Sequence, residues 1–141
     1  MKNLRLALFG FALLGSACSP SPQQKVDTLQ QEVLALHDSA MAKMGALYAG
    51  RKDLAYLKDS VLVQDTLAQR SLTTGIDHLA RADEGMMQWM RAYRNPDDQA
   101  PEEALRYLEE EKVKIEKVRQ EIAQSLRAAD SLKAHYRNTS K

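Results

Sequence analysis

The sequence predicts an all-α fold, an elongated antiparallel up-down-up three-helix bundle with coiled-coil character, placed after an export segment. Three observations predict it. From about residue 25 onward, apolar residues recur at intervals of three and four, the spacing that lines one face of a helix. No stretch shows the strict alternation of a half-buried strand. The helical pattern is broken hard at one place and softly at another, which divides 25-138 into three long helices within one domain.

The first helix is expected over about 25-58, where Val26, Leu29, Val33, Leu36, Ala40, Met44, Leu47 and Leu54 form one stripe. Its end is weakly marked. "KDSVLVQDTLAQ" holds neither glycine nor proline, but Thr66 and Gln69 have the spacing of a capping box, which puts a turn at Asp59 to Asp65. The second helix, 66-94, carries Leu72, Ile76, Leu79, Met86, Met90 and Tyr93, with Met87 and Trp89 flanking the stripe on opposite sides. "YRNPDDQAPEEAL" then makes a strong break. Asn95 suits a left-handed cap, Pro96 stops the helix, and Pro101 with Glu102 and Glu103 suits the first turn of the next. The third helix, 101-137, buries Leu105, Leu108, Ile115, Val118, Ile122, Leu126 and Leu132. At 1.5 Å per residue, helices of some thirty residues are about 45 to 50 Å long.

Ahead of the bundle, Lys2 and Arg5 precede the apolar run "LALFGFALLGSA", too short for a permanent membrane helix and followed by Cys18. Cys18 is the only cysteine, so it has no internal disulfide partner. "LLGSAC" resembles the lipobox of bacterial lipoproteins, with Gly15 where an aliphatic residue is usual and Leu14 one place earlier. The resemblance implies a signal peptide over 1-17, lipidation of Cys18 and a short polar, non-helical tether over 18-24; an ordinary secretory peptide cut after Ala17 is the alternative. Loss of 1-17 removes Lys2 and Arg5 and takes the formal net charge from +1 to about −1. A near-neutral surface without a basic stripe argues against nucleic acid. The mature protein is expected on the periplasmic side of the outer membrane: Ser19 after the cysteine suits that sorting, and "SPSPQQ" lacks an acidic run.

Motif-level chemistry is sparse. The chain has no glycine-rich phosphate loop, no haem-attachment cysteine pair and no His-Glu-x-x-His zinc motif. This reads as a non-enzymatic protein, with His78 and His135 facing solvent. One level of the bundle is different. Folding the chain near residues 62 and 98 sets His37 and Met41 beside Asp83 to Met87 and brings Leu108 to Lys112 to the same height. Polar residues then interrupt the apolar face of all three helices: His37, Asp83, and Glu111 or Lys112.

Two readings of that layer stand side by side. In one, His37 donates to Asp83, Glu111 or Lys112 completes the network, and Met41, Met44, Met86 and Met90 pack around it as adaptable filler. In the other, His37 with Met41, Met44, Met86 and Met90 holds Cu(I), or His37 with Asp83 and Glu111 holds a harder divalent ion.

The segments "EVLALHDSAMAKMG", "ADEGMMQWM" and "ALRYLEEEKVKIEKV" together are similar to a family of small Bacteroidetes lipoproteins that automatic annotation labels "viral A-type inclusion protein". The motif positions are His37, Asp38, Met41, Met44, Asp83, Met86, Met87, Trp89 and Met90. The resemblance implies a cell-envelope setting and a membrane anchor, with no stated chemistry. Asp-Ser and Asp-Thr followed by an aliphatic residue resemble the O-glycosylation signal of exported proteins of that phylum, and Ser60 and Thr66, in the expected turn, are the best placed. The functional expectation is a structural or protein-interaction lipoprotein with an envelope protein partner; the alternative is a periplasmic copper-binding or small-ligand-binding one.

Overall fold

In the computed structural model, residues 19–61 and 65–139 are described. They form four helices, α1 (Pro22–Met41), α2 (Met44–Val61), α3 (Thr66–Ala92) and α4 (Pro101–Thr139), and no strand among them. Residues 1-17, where a signal peptide is expected, Cys18 and the side chain of Ser60 lie outside the described residues. No described helix is long and apolar enough to cross a membrane.

The stretch expected as one helix over 25-58 is divided at Ala42 and Lys43. Neither residue breaks helices by itself. The turn is tightened instead: Lys43 N donates to Ala40 O at 2.9 Å, an i to i−3 bond of the 3₁₀ type, while Ala42 stays helical at φ −59° and ψ −16°. The division coincides with a change of neighbour, since α1 packs chiefly on α4 and α2 chiefly on α3. The apolar register survives it. Val26, Val33, Ala40, Leu47 and Leu54, each seven residues from the last, are all buried across the break.

Helix ends also differ in detail from the expectation. α1 starts at Pro22, inside the segment expected to be a non-helical tether, because proline at the first helical position lacks only an N–H that would be unpaired anyway. Ser21 caps it in a capping box with Gln24. At α3 the cap is Asp65 and not Thr66: its carboxylate accepts from Leu67 N at 3.0 Å and Ala68 N at 3.1 Å, and Gln69 reaches back to Lys58 O at 2.8 Å. Asn95 takes no left-handed conformation. It accepts from Gln30 and donates to Asp97, joining the α3–α4 connection to α1.

The core of α3 is a stripe of seven buried residues, Ala68, Leu72, Gly75, Leu79, Ala82, Met86 and Trp89, spaced alternately by four and three. Ile76 and Met90, expected inside, are half-buried and exposed respectively, while Trp89, expected at the edge, is 6% exposed. Small residues on this stripe admit large ones opposite. A Cβ on Gly75 would stand 2.6 Å from a methyl of Leu132 and 2.9 Å from one of Leu54.

Contacts across the seams come in ordered pairs. Lys112 bonds Glu32 and Lys133 approaches Asp53, each pair 80 residues apart. Arg51 faces Asp83, Gln69 faces Lys58, Ser125 faces His78, and Tyr107 faces Arg94.

Candidate functional site

The aromatic and carboxylate side chains of α1, α3 and α4 meet at one level. Trp89 of α3 and Tyr93, the residue that caps its C-terminus one turn later, stack with ring centroids 4.9 Å apart. His37 of α1 lies 5.7 Å from Trp89, and Tyr107 of α4 lies 6.1 Å from Tyr93. Glu111, one turn beyond Tyr107, is 4% exposed. Its Oε1 accepts from Lys114 Nζ at 2.8 Å, but Oε2 is buried without a partner, as are Trp89 Nε1 and Tyr93 OH. Three polar atoms without partners in one apolar neighbourhood each weaken the fold.

The electrostatics follow from this burial. Tyr93 is pushed above the ordinary tyrosine range by burial first and then by Tyr107, Glu111 and Asp97. The Lys114 ammonium is held up by its hydrogen bond to Glu111, and that of Lys112 by its bond to Glu32 at 2.6 Å.

The expected His37–Asp83 pair does not form. His37 Nδ1 is 2.9 Å from Oδ1 of its neighbour Asp38, and Asp83 faces Arg51 at 3.9 Å, half in solvent. The level estimate ran short. His37 stands beside Trp89, six residues past Asp83, or about 9 Å along the axis. Of the two α4 alternatives, Glu111 is the buried one; Lys112 points outward to Glu32.

The methionines do not share one environment. Met86 is fully buried, Met41 and Met44 are half-buried, and Met90 is 40% exposed. Among the described residues no group of three or more His, Cys, Asp or Glu is arranged to hold a metal ion. His78 and His135 are exposed, as is Thr66 in the first turn of α3.

What sequence reasoning missed is the seam between α1–α2 and α3. Asp83 and Trp89 mark the α3 face that meets Arg51 and His37. Met87 lies one turn from Asp83, and Met90 follows Trp89; on the other side Tyr48 and Leu34 each precede a contact residue by one turn. All four are apolar and exposed: Leu34 41%, Tyr48 65%, Met87 40% and Met90 40%. A seven-residue count along α3, starting from Leu72, would have put Met90 and Met87 outside the core.

Comparison of the chain with family models, with curated proteins and with solved structures finds no match.

Proposed function

We propose that this chain is a non-enzymatic cell-envelope lipoprotein with a structural or protein-interaction role. It is anchored through Cys18 in the outer membrane and presents an up-down-up helical bundle to the periplasm. The ordered pairs support that topology: residue numbers rise together along α1–α2 and α4 and run oppositely along α3. The likeness to small Bacteroidetes lipoproteins and the lipobox-like "LLGSAC" support the setting.

One observation carries the interaction role, the exposed apolar residues along one seam, Leu34 and Met90 beside the His37–Trp89 contact and Tyr48 and Met87 beside the Arg51–Asp83 contact. Methionine side chains adapt to irregular partners, and large apolar residues exposed along one seam are a mark of binding surfaces. A photo-cross-linking residue at Tyr48 or Met87, tested in the native envelope, should give one discrete adduct. The same residue at Val113, an equally apolar position 69% exposed on α4, should give none. Equal labelling from Val113, or none from Tyr48 and Met87, contradicts the reading.

A further inference from the structure

Beside the turn at Ala42 and Lys43, an open cleft of about 390 Å³ runs between α2 and α4. That volume lies toward the lower end of the range of small-molecule pockets. Its floor is the buried Ala40, Gly50, Ile122 and Ala129, and its accessible walls are Ala46 and Ala49 on α2 and Ala123 and Leu126 on α4. Small residues on facing helices let backbones approach, and at Gly50 they do: a Cβ there would stand 3.2 Å from Leu79 of α3 and 4.0 Å from the Ala129 methyl of α4. Outside that contact the cleft stays open, since α2 packs chiefly on α3 and less closely on α4.

The rim is cationic at one end. Lys133, at the far end, is neutralised by Asp130 at 2.8 Å and Asp53 at 3.4 Å. At the near end Lys43 is exposed and has no ion-pair partner among the described residues. Arg119 touches Glu116 at 3.6 Å through one terminal nitrogen only, and its Nε has no acceptor. From the level of Ser39 to that of Gly50 the trough is about 16 Å long at the helical rise. An apolar trough whose near end carries Lys43 and an Arg119 only partly engaged by Glu116 suits a single-chain amphiphile with an anionic head.

We propose that this cleft binds a fatty carboxylate, its chain lying between Ala46 and Ala49 of α2 and Ala123 and Leu126 of α4 and its head held by Lys43 and Arg119. The site is separate from the Leu34–Met90 seam and does not depend on the envelope reading. Titration of the full chain with dodecanoate below its micellar concentration, followed by calorimetry, should show saturable binding of one molecule per chain. Lys43→Glu should weaken it at least tenfold. Ala123→Leu fills the trough from α4 and Ala46→Leu fills it from the exposed side of α2, where folding is not at risk; either should abolish binding with the thermal transition retained. The proposal is overturned by the absence of saturable dodecanoate binding, or by equal binding of dodecyltrimethylammonium. Binding of dodecyl phosphate in place of dodecanoate overturns it too, as does undiminished binding in a folded Ala46→Leu variant.

Discussion

Replacing Glu111 with leucine removes a carboxylate that is 4% exposed and has one oxygen bonded and one without a partner. The oxygen without a partner costs about 1–3 kcal/mol in the native protein. The bonded one contributes less than a fully buried pair would, because Lys114 is 56% exposed and its ammonium regains water when Glu111 is gone. Such half-solvated pairs contribute up to about 1 kcal/mol. Leucine fits the place, since Leu108 and Ile115 on either side of it are fully buried on the same stripe. The net expectation is a gain of about 1–2 kcal/mol, as found for buried charges exchanged for apolar residues of similar size. At roughly 4 °C per kcal/mol for a chain of this length, Tm rises by about 4–8 °C. Lys114→Met supplies the converse, leaving the carboxylate with neither oxygen paired, and lowers Tm. Circular dichroism melts of the parent and both variants decide the matter. A Glu111→Leu protein that melts below the parent would refute the reasoning, because the carboxylate would then have a compensating partner.

Gly75→Ala and Gly85→Ala should move stability in opposite senses. A methyl at Gly85 meets only Glu121 Oε2 at 3.9 Å and gains about 1 kcal/mol of helix propensity, whereas at Gly75 it meets two leucine methyls inside 3 Å, and overpacking of about 1–3 kcal/mol exceeds that gain; urea melts read both. Tyr93, raised by burial and then by Tyr107, Glu111 and Asp97, contributes stability that is complete below the ordinary tyrosine value of 10.0 and is lost as pH rises through its higher folded value. Lys133, raised by its bond to Asp130, adds to the same alkaline loss. Urea midpoints should therefore fall above pH 10, and Tyr93→Phe should reduce that fall; an unchanged alkaline limb would count against the buried hydroxyl. His37→Ala and Asp83→Ala, at separate places on the seam, should be additive within about 0.5 kcal/mol in a double-mutant cycle, and a coupling above about 1 kcal/mol would show that they pair in solution.

The helical class and the α3 to α4 boundaries were legible because proline and acidic residues at Pro96, Pro101, Glu102 and Glu103 punctuate strongly, and because Leu72, Leu79 and Met86 repeat every seven residues. The second seam of α3 was not, since Ala68, Gly75 and Ala82 carry too little apolar surface to register as a stripe, and the eye passes to Ile76 and Met90 instead. The division of the first helix was hidden for a different reason. Its cause is the tertiary change of neighbour from α4 to α3, which no residue at Ala42 or Lys43 encodes by propensity. Glu111 was found as a polar interruption of an apolar face, which is a local property. Its supposed partners failed because pairing His37 with Asp83 required a register good to one residue, and counting from a turn without glycine or proline misplaced it by more than a turn. Trp89 fell to the same error, as its burial follows from the seven-residue count and not from the stripe drawn through Met90.

If Cys18 is the lipid anchor proposed above, membrane fractionation of Cys18→Ser in the native host will show it. The wild-type chain should sediment with outer membranes and resist salt extraction, while Cys18→Ser should be found in the soluble periplasmic fraction or retain its uncleaved leader. A Cys18→Ser protein that is processed normally and stays with the outer membrane would contradict the lipoprotein reading.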